Sequence, residues 1–176
     1  MNGLVAAAHV WPADSDNPTS VDTLELDWGG PIGDRHHGET MASDTRQSAV
    51  FPRGTTIRNH RQISLVDLAE LAQIADALGI PRIDPGTIAE NITTEAIAEL
   101  TSLPRMTRLV FPSGAVIMLG GANAPCTIAG GMVGARYGSR PEAFPKAAIG
   151  RRGVTGWVER PGIVAPGDAI TVVLPE

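Results

Sequence analysis

The C-terminal stretch constrains the fold more than any other part of the chain. Residues 153–174 read GVTGWVERPGIVAPGDAITVVL, with apolar runs at 153–158, 163–164 and 169–174 cut by Pro161-Gly162 and Pro166-Gly167-Asp168. Proline removes a backbone donor and glycine opens tight turns, so runs this short read as strands rather than helices. Short strands at such close spacing favour a barrel or a sandwich with helical additions. The fold class is therefore mainly β with added helices.

Other segments agree with that reading. Residues 4–10 (LVAAAHV) and 21–26 (VDTLEL) have strand character, and residues 108–111 and 115–119 straddle Pro112-Ser113-Gly114 like the arms of a hairpin. The spacing predicts one long helix over residues 64–79, with Leu65, Leu68, Leu71, Ala75 and Leu78 on one side, Ser64 as N-cap ahead of Asp67, and Gly79 then Pro81 as the stop. Residues 29–58 break into glycines, charges and short apolar pieces, which predicts either a long functional loop or irregular strand and turn. At 176 residues the chain is expected to be a single domain.

Composition excludes some functions. With 43% hydrophobic and 19% charged residues the chain is an ordinary globular sequence, and a net charge of −5 lacks the basic footprint of a nucleic-acid binder. The N-terminus has no basic segment and meets Pro12 and Asp14 early, so neither a signal peptide nor a membrane span is expected there, and a cytoplasmic location is. Cys126 is the only cysteine, which rules out an internal disulfide and a cysteine-rich metal site.

Four stretches could carry chemistry. GDRHHGE, residues 33–39, pairs His36 with His37, but on an extended chain adjacent side chains point to opposite faces. The pair alone therefore reads better as a polar turn than as a chelate. NAPC, residues 123–126, puts a thiol after a proline at the end of an apolar strand, where it is either a buried hydrophobe or one soft metal ligand. Glu90 and Asn91 in ENIT either bind a polar ligand or satisfy a turn, and Arg151 with Arg152 in GRRGV either hold an anion or sit in a solvated basic turn. No serine sits in G-x-S-x-G, so a serine hydrolase is excluded; a zinc site built on His36, His37 and His60 would need all three on one pocket wall.

Taken in order, GDRHHGE, NHRQISLVDLAEL, PGTIAENIT, APC and RRGVTGWVERPGIVAPGDAI resemble the stand-alone bacterial MOSC domain proteins, relatives of the molybdenum cofactor sulfurase C-terminal domain. The resemblance covers about residues 29–173. It implies a MOSC-type β-barrel, single domain, around a pocket for the molybdenum cofactor (molybdopterin), with pyridoxal phosphate binding also associated with the family. Cys126 takes the place of the family's key cysteine, a molybdenum ligand in some members and a proposed sulfur carrier in others. The same resemblance puts His36 and His37 at the catalytic pocket wall, with Asp34 and Arg35 on the same polar loop and Asp34 ordering it. It puts Arg61, Glu90, Asn91, Asn123, Arg151 and Arg152 around the cofactor, the arginines toward its phosphate. Two departures stand out: many relatives have a basic residue where this chain has Asn123, and often a glycine near Ala96.

The resemblance implies an oxidoreductase that reduces N-hydroxylated or similar small substrates with electrons from a separate protein. Two alternatives keep the fold: a sulfur carrier, or a maker and breaker of carbon–sulfur bonds, using the Cys126 thiolate without molybdenum, and a non-catalytic cofactor carrier or interaction module. A small-molecule substrate and a separate redox or sulfur-donor protein are the expected partners, with neither nucleic acid nor membrane, and the chain as monomer or homodimer.

Overall fold

The computed structural model describes residues 2–97 and 99–176. In chain order, β1 (Asn2–Val10) is followed by three short strands, β2 (Thr19–Ser20), β3 (Leu24–Asp27) and β4 (Gly30–Pro31). A ribbon of β5 (Thr40–Ala42) and β6 (Thr56–Arg58) precedes β7 (Ile63–Asp67), α1 (Leu68–Leu78) and β8 (Ile92–Glu95). The hairpin β9 (Arg108–Val110) and β10 (Val116–Ala122) leads to α2 (Thr127–Tyr137) and α3 (Ala143–Ala147), and the chain ends in β11 (Val154–Arg160), β12 (Gly162–Val164) and β13 (Ala169–Val173).

Seven strands form a closed ring in the order β13, β9, β10, β11, β7, β8, β1, with β1 pairing back to β13. Closure leaves no long unpaired edge, which is how a sheet of short strands protects its backbone groups. The pairing of β7 with β8 is parallel, and α1 makes the crossover between them. Inside the ring, Leu65, Ile92, Leu109, Ile117, Val154 and Ile170 form one core; Leu71, Ile74, Val133 and Phe144 form a second beneath the helices.

The mainly β barrel expected from the sequence is thus present, with corrections at its edges. Helix α1 starts at Leu68, not Ser64, because residues 63–67 belong to β7. Asp67 is the N-cap: its carboxylate accepts from Ala69 N–H at 3.0 Å, and Glu70 reaches back to the Asp67 N–H. Ser64 lacks such a reciprocal partner. The predicted strand over 21–26 shortens to Leu24–Asp27, residues 29–58 resolve into irregular strand and turn, and helices α2 and α3 are additions. Ala96 has φ 66°, a conformation glycine adopts freely, so the turn survives the departure at a cost of about 1 kcal/mol.

Candidate functional site

A cavity of about 510 Å³ opens where β1 and β10 end and β8 and β11 begin. This lies within the usual range for small-molecule pockets, about 300–1,000 Å³. Cys126, Arg61, Arg152, Asn91, Asn123, His36, His37 and Arg35 line it, so eight of the eleven residues anticipated from sequence meet on one wall system. Asp34, Glu90 and Arg151 do not line it.

Cys126 is the N-cap of α2, half-buried, with extended dihedrals (φ −140°, ψ 162°) and no side-chain bond to the helix. The first turn of a helix directs free N–H groups and partial positive charge at whatever occupies its cap. Arg152 lies close enough to interact with the thiol electrostatically and is itself buried, 6% exposed. Its Nη2 donates to the Ile88 carbonyl, while Nε and Nη1 have no partner among the described residues. Burial pushes this guanidinium below the ordinary arginine range, with Glu90 and Cys126 opposing the shift. Gly153 fixes the position of Arg152: with φ 78° and room for no side chain, since a Cβ would fall 1.8 Å from the Leu65 carbonyl, it presses β11 onto β7.

A second guanidinium comes from Arg61. Its Nη2 donates to Asn123 Oδ1 at 3.0 Å and its Nη1 to Thr155 Oγ1 at 3.3 Å. Burial and repulsion from Arg46 and Arg152 hold Arg61 below the usual arginine range, with Asp44 opposing. Asn123 thus holds the guanidinium that Arg61 brings from another segment. Arg61 stands between the guanidiniums of Arg46 and Arg152, and Asp44 is the one carboxylate lining the cavity among the described residues, a charge balance that suits an anionic ligand.

The GDRHHGE loop is a braced wall. Asp34 is buried and accepts from His36 Nδ1 at 3.0 Å, His36 N–H at 2.8 Å, Trp11 N–H at 2.9 Å and Asn91 Nδ2 at 2.8 Å. Burial pushes its carboxyl upward, but these donors outweigh it and hold Asp34 below the ordinary carboxylate range. His37 pairs separately with Asp27 at 2.7 Å. Arg35 stacks on Trp11 at 3.9 Å and donates to the Pro12 and Ser15 carbonyls, so its guanidinium locks a loop instead of facing a ligand. Glu90 and Asn91 also brace: Glu90 accepts from Gly86 N–H and Thr93 Oγ1, and Asn91 joins Asp34 to the Ser64 N–H.

His60 is not part of the cavity, so the zinc triad of His36, His37 and His60 does not assemble, and no cluster of three metal-ligating side chains exists among the described residues. Sequence reasoning missed Trp11, Asp44, Arg46, Asn59 and Thr155. Asn59 and Thr155 stand two residues from Arg61 and Gly153, inside motifs already singled out; nothing in the chain signals Trp11.

Three comparisons bear on this geometry. The MOSC domain family matches residues 33–171. The chain is 41% identical over 155 residues to a Bacillus subtilis (strain 168) protein named "Putative metal-sulfur cluster biosynthesis proteins YuaD", covering 86% of this chain and 80% of that one. The crystal structure of the YuaD protein from Bacillus subtilis superposes with a TM-score of 0.94 at 36% identity, covering 100% of this chain and 98% of that one. YiiM from Geobacillus stearothermophilus shares the fold at a TM-score of 0.66 and 16% identity, covering 99% of this chain and 75% of that one.

Proposed function

From the premise that the chain belongs to the MOSC family, whose members are associated with the molybdenum cofactor, we propose that it holds this cofactor in the Cys126 cavity and reduces small N-hydroxylated or similar substrates. The electrons come from a separate protein. One observation carries the reading: a lone thiol at a helix N-terminus shares a cavity with the buried Arg152, two of whose donors are unpartnered. This donor set fits the cofactor. A pterin dithiolene brings its own soft ligands, so the protein adds only one thiolate, from Cys126, while Arg61 and Arg152 hold the anionic tail.

When bound, the metal supplies the two-electron chemistry. The chain's own residues do the rest. Cys126 anchors the group, Trp11 and His36 close one wall, and His36, oriented by Asp34, presents its other ring nitrogen to exchange a proton with a bound substrate. Protein purified from a host that loads a control molybdoenzyme is expected to contain molybdenum and pterin, both lost in Cys126→Ala. Absence of both from the wild-type chain overturns the reading.

A second reading has its own support in the name of the 41% identical Bacillus subtilis relative, which refers to metal-sulfur cluster biosynthesis. Cys126 would accept sulfane sulfur from a persulfide donor, exchanging one S–S bond for another while the donor leaves as thiolate. Intact-mass measurement after exposure to such a donor separates the two. A Cys126-dependent gain of one sulfur atom in a molybdenum-free protein favours the carrier.

A further inference from the structure

A second cavity, of about 480 Å³, shares Met132 of α2 as a wall with the Cys126 cavity. His9, Asn17, Ser20, Thr87 and Arg136 give it polar walls. Three buried side chains connect the two cavities: Arg152 lines the first, His9 lines the second, and Glu90 interacts electrostatically with both. They are 6%, 7% and 1% exposed in that order. The turn before β8 sets them in place. Gly86, at φ 82°, donates its N–H to Glu90 Oε1 at 2.6 Å and lays a bare face on the His9 ring, where a Cβ would fall 2.6 Å from Nε2. Two residues on, the Ile88 carbonyl accepts from Arg152 Nη2, and the Asn91 carbonyl accepts from the His9 N–H at 2.7 Å.

Of the five buried side-chain polar atoms that lack a hydrogen-bond partner among the described residues, four fall on this trio: His9 Nδ1, Glu90 Oε2, and Arg152 Nε and Nη1. Buried polar groups are nearly always paired, and acceptors and donors gathered without touching suit water, which both gives and accepts. Burial holds His9 below the ordinary histidine range, with Glu90 opposing. The charged groups facing its ring are Glu90 and, from α2, Arg136, which is itself paired with Asp84 at 2.7 Å. A neutral imidazole has one acceptor and one donor nitrogen, so it takes a proton on one and releases it from the other. We propose that His9, Glu90 and water ordered by Arg152 form a proton path from the second cavity to the Cys126 cavity. This rests on the reductase reading above. Reduction of R–NH–OH to R–NH2 breaks the N–O bond and consumes two protons and two electrons, the electrons from the separate redox protein and the oxygen leaving as water. His36, on the exposed wall, supplies one proton; the path supplies the other from the interior once substrate fills the mouth. Arg152 keeps its own protons and only positions the water.

The test uses the full-length protein without and with cofactor. In crystals of the cofactor-free protein, ordered water is expected on Glu90 Oε2 and on Arg152 Nε or Nη1; a direct Glu90–Arg152 ion pair or a dry gap overturns the path. Loaded protein is assayed on phenylhydroxylamine with reduced methyl viologen as electron donor, and melting temperature is checked in each variant. Glu90→Gln and His9→Ala are each expected to lower kcat about a hundredfold, with KM and molybdenum content unchanged and a larger solvent deuterium isotope effect on kcat. Imidazole, which fits the second cavity, is expected to restore His9→Ala, whereas pyrrole, a ring of the same size without a basic nitrogen, is not; a purely structural role would respond to both or to neither. Should Glu90→Gln fail to fold, His9→Ala with the two added rings decides. Wild-type protein that reduces nothing overturns the reductase reading and the path with it. An active wild type matched by His9→Ala, or a His9→Ala variant restored by pyrrole or not restored by imidazole, overturns the path alone.

Discussion

Helices α1 and α2 are each eleven residues long and pack on the same second core, yet they are built on opposite terms. In α1 an aspartate caps the N-terminus, a glutamate completes the reciprocal bond, and apolar residues return every three or four positions. In α2 the N-cap is Cys126, which bonds to nothing in the helix, and Gly130, Gly131 and Gly134 interrupt the interior. Each interior glycine costs about 1 kcal/mol relative to alanine, so α2 forgoes roughly 3 kcal/mol of intrinsic helicity. The first helix is built to stand; the second is built to leave its N-terminus open at the cavity and to let the chain pass close behind it.

The sharpest way to break this contrast is Cys126→Ser. The cap dihedrals are already extended, so serine could accept a backbone hydrogen bond and turn α2 into an ordinarily capped helix worth about 0.5–1 kcal/mol more. The expected outcome is complete loss of bound molybdenum or accepted sulfur, with a melting temperature unchanged or about 2 °C higher. Loss of activity together with a large fall in melting temperature would mean that Cys126 is structural and that the contrast is false.

Asp67→Ala is the mirror experiment. Asp67 caps α1 and also accepts from Thr94 Oγ1 at 2.9 Å and Ile97 N–H at 3.1 Å, all within the interior. Removing it deletes a cap and strands two buried donors, a loss of about 3 kcal/mol by chemical denaturation. Metal or sulfur loading of the folded fraction should be unchanged. A variant that keeps its stability would show that α1 is held by packing alone.

The two helices also mark what the sequence reveals. Helix α1 was legible because its stability comes from local signals, and only its start slipped: residues 63–66 of β7 supply apolar side chains that mimic a further helical turn, and Ser64 offers a false cap. Helix α2 was illegible because TIAGGMVGARY carries no cap and little periodicity; what holds it is Ala129, Val133 and the close passage of residues 139–141, contacts distant from any local pattern. The barrel strands around Pro161-Gly162 and Pro166-Gly167-Asp168 were readable for the same reason as α1. At the site, motif order singles out Cys126, Arg61 and Arg152, whereas Trp11 and Arg46 reach the cavity only through the closure of β1 onto β8 and the fold of the β5–β6 ribbon. Proximity created by strand pairing leaves no mark in a stretch read alone.

Gly130→Ala tests whether that close passage outweighs helix propensity. Propensity alone predicts a gain of about 1 kcal/mol. A Cβ at Gly130, however, would fall 2.2 Å from the Pro141 carbonyl oxygen and 2.9 Å from Phe144 Cβ, and backbone cannot step aside as a side-chain tip can. Overpacking of this kind costs about 1–3 kcal/mol, so a net destabilisation of about 1–2 kcal/mol is expected, read as a lower denaturant midpoint. A gain in stability would show that α3 and the chain before it shift without penalty.

Gly131→Ala isolates the propensity term that Gly130→Ala obscures. It lies one residue further along α2, and a Cβ there meets nothing within 4 Å. With no clash and no partner lost, only the entropy of the unfolded chain and the exposure of helix backbone change, and both favour alanine by about 0.5–1 kcal/mol. The expected result is a melting temperature about 2 °C higher with cofactor or sulfur loading at Cys126 unaltered, because residue 131 lines neither the cavity nor the cap. Should stability rise while loading falls, the weakness of α2 is itself functional: the helix must loosen for its N-terminus to receive a ligand, and its glycines serve motion as well as close packing.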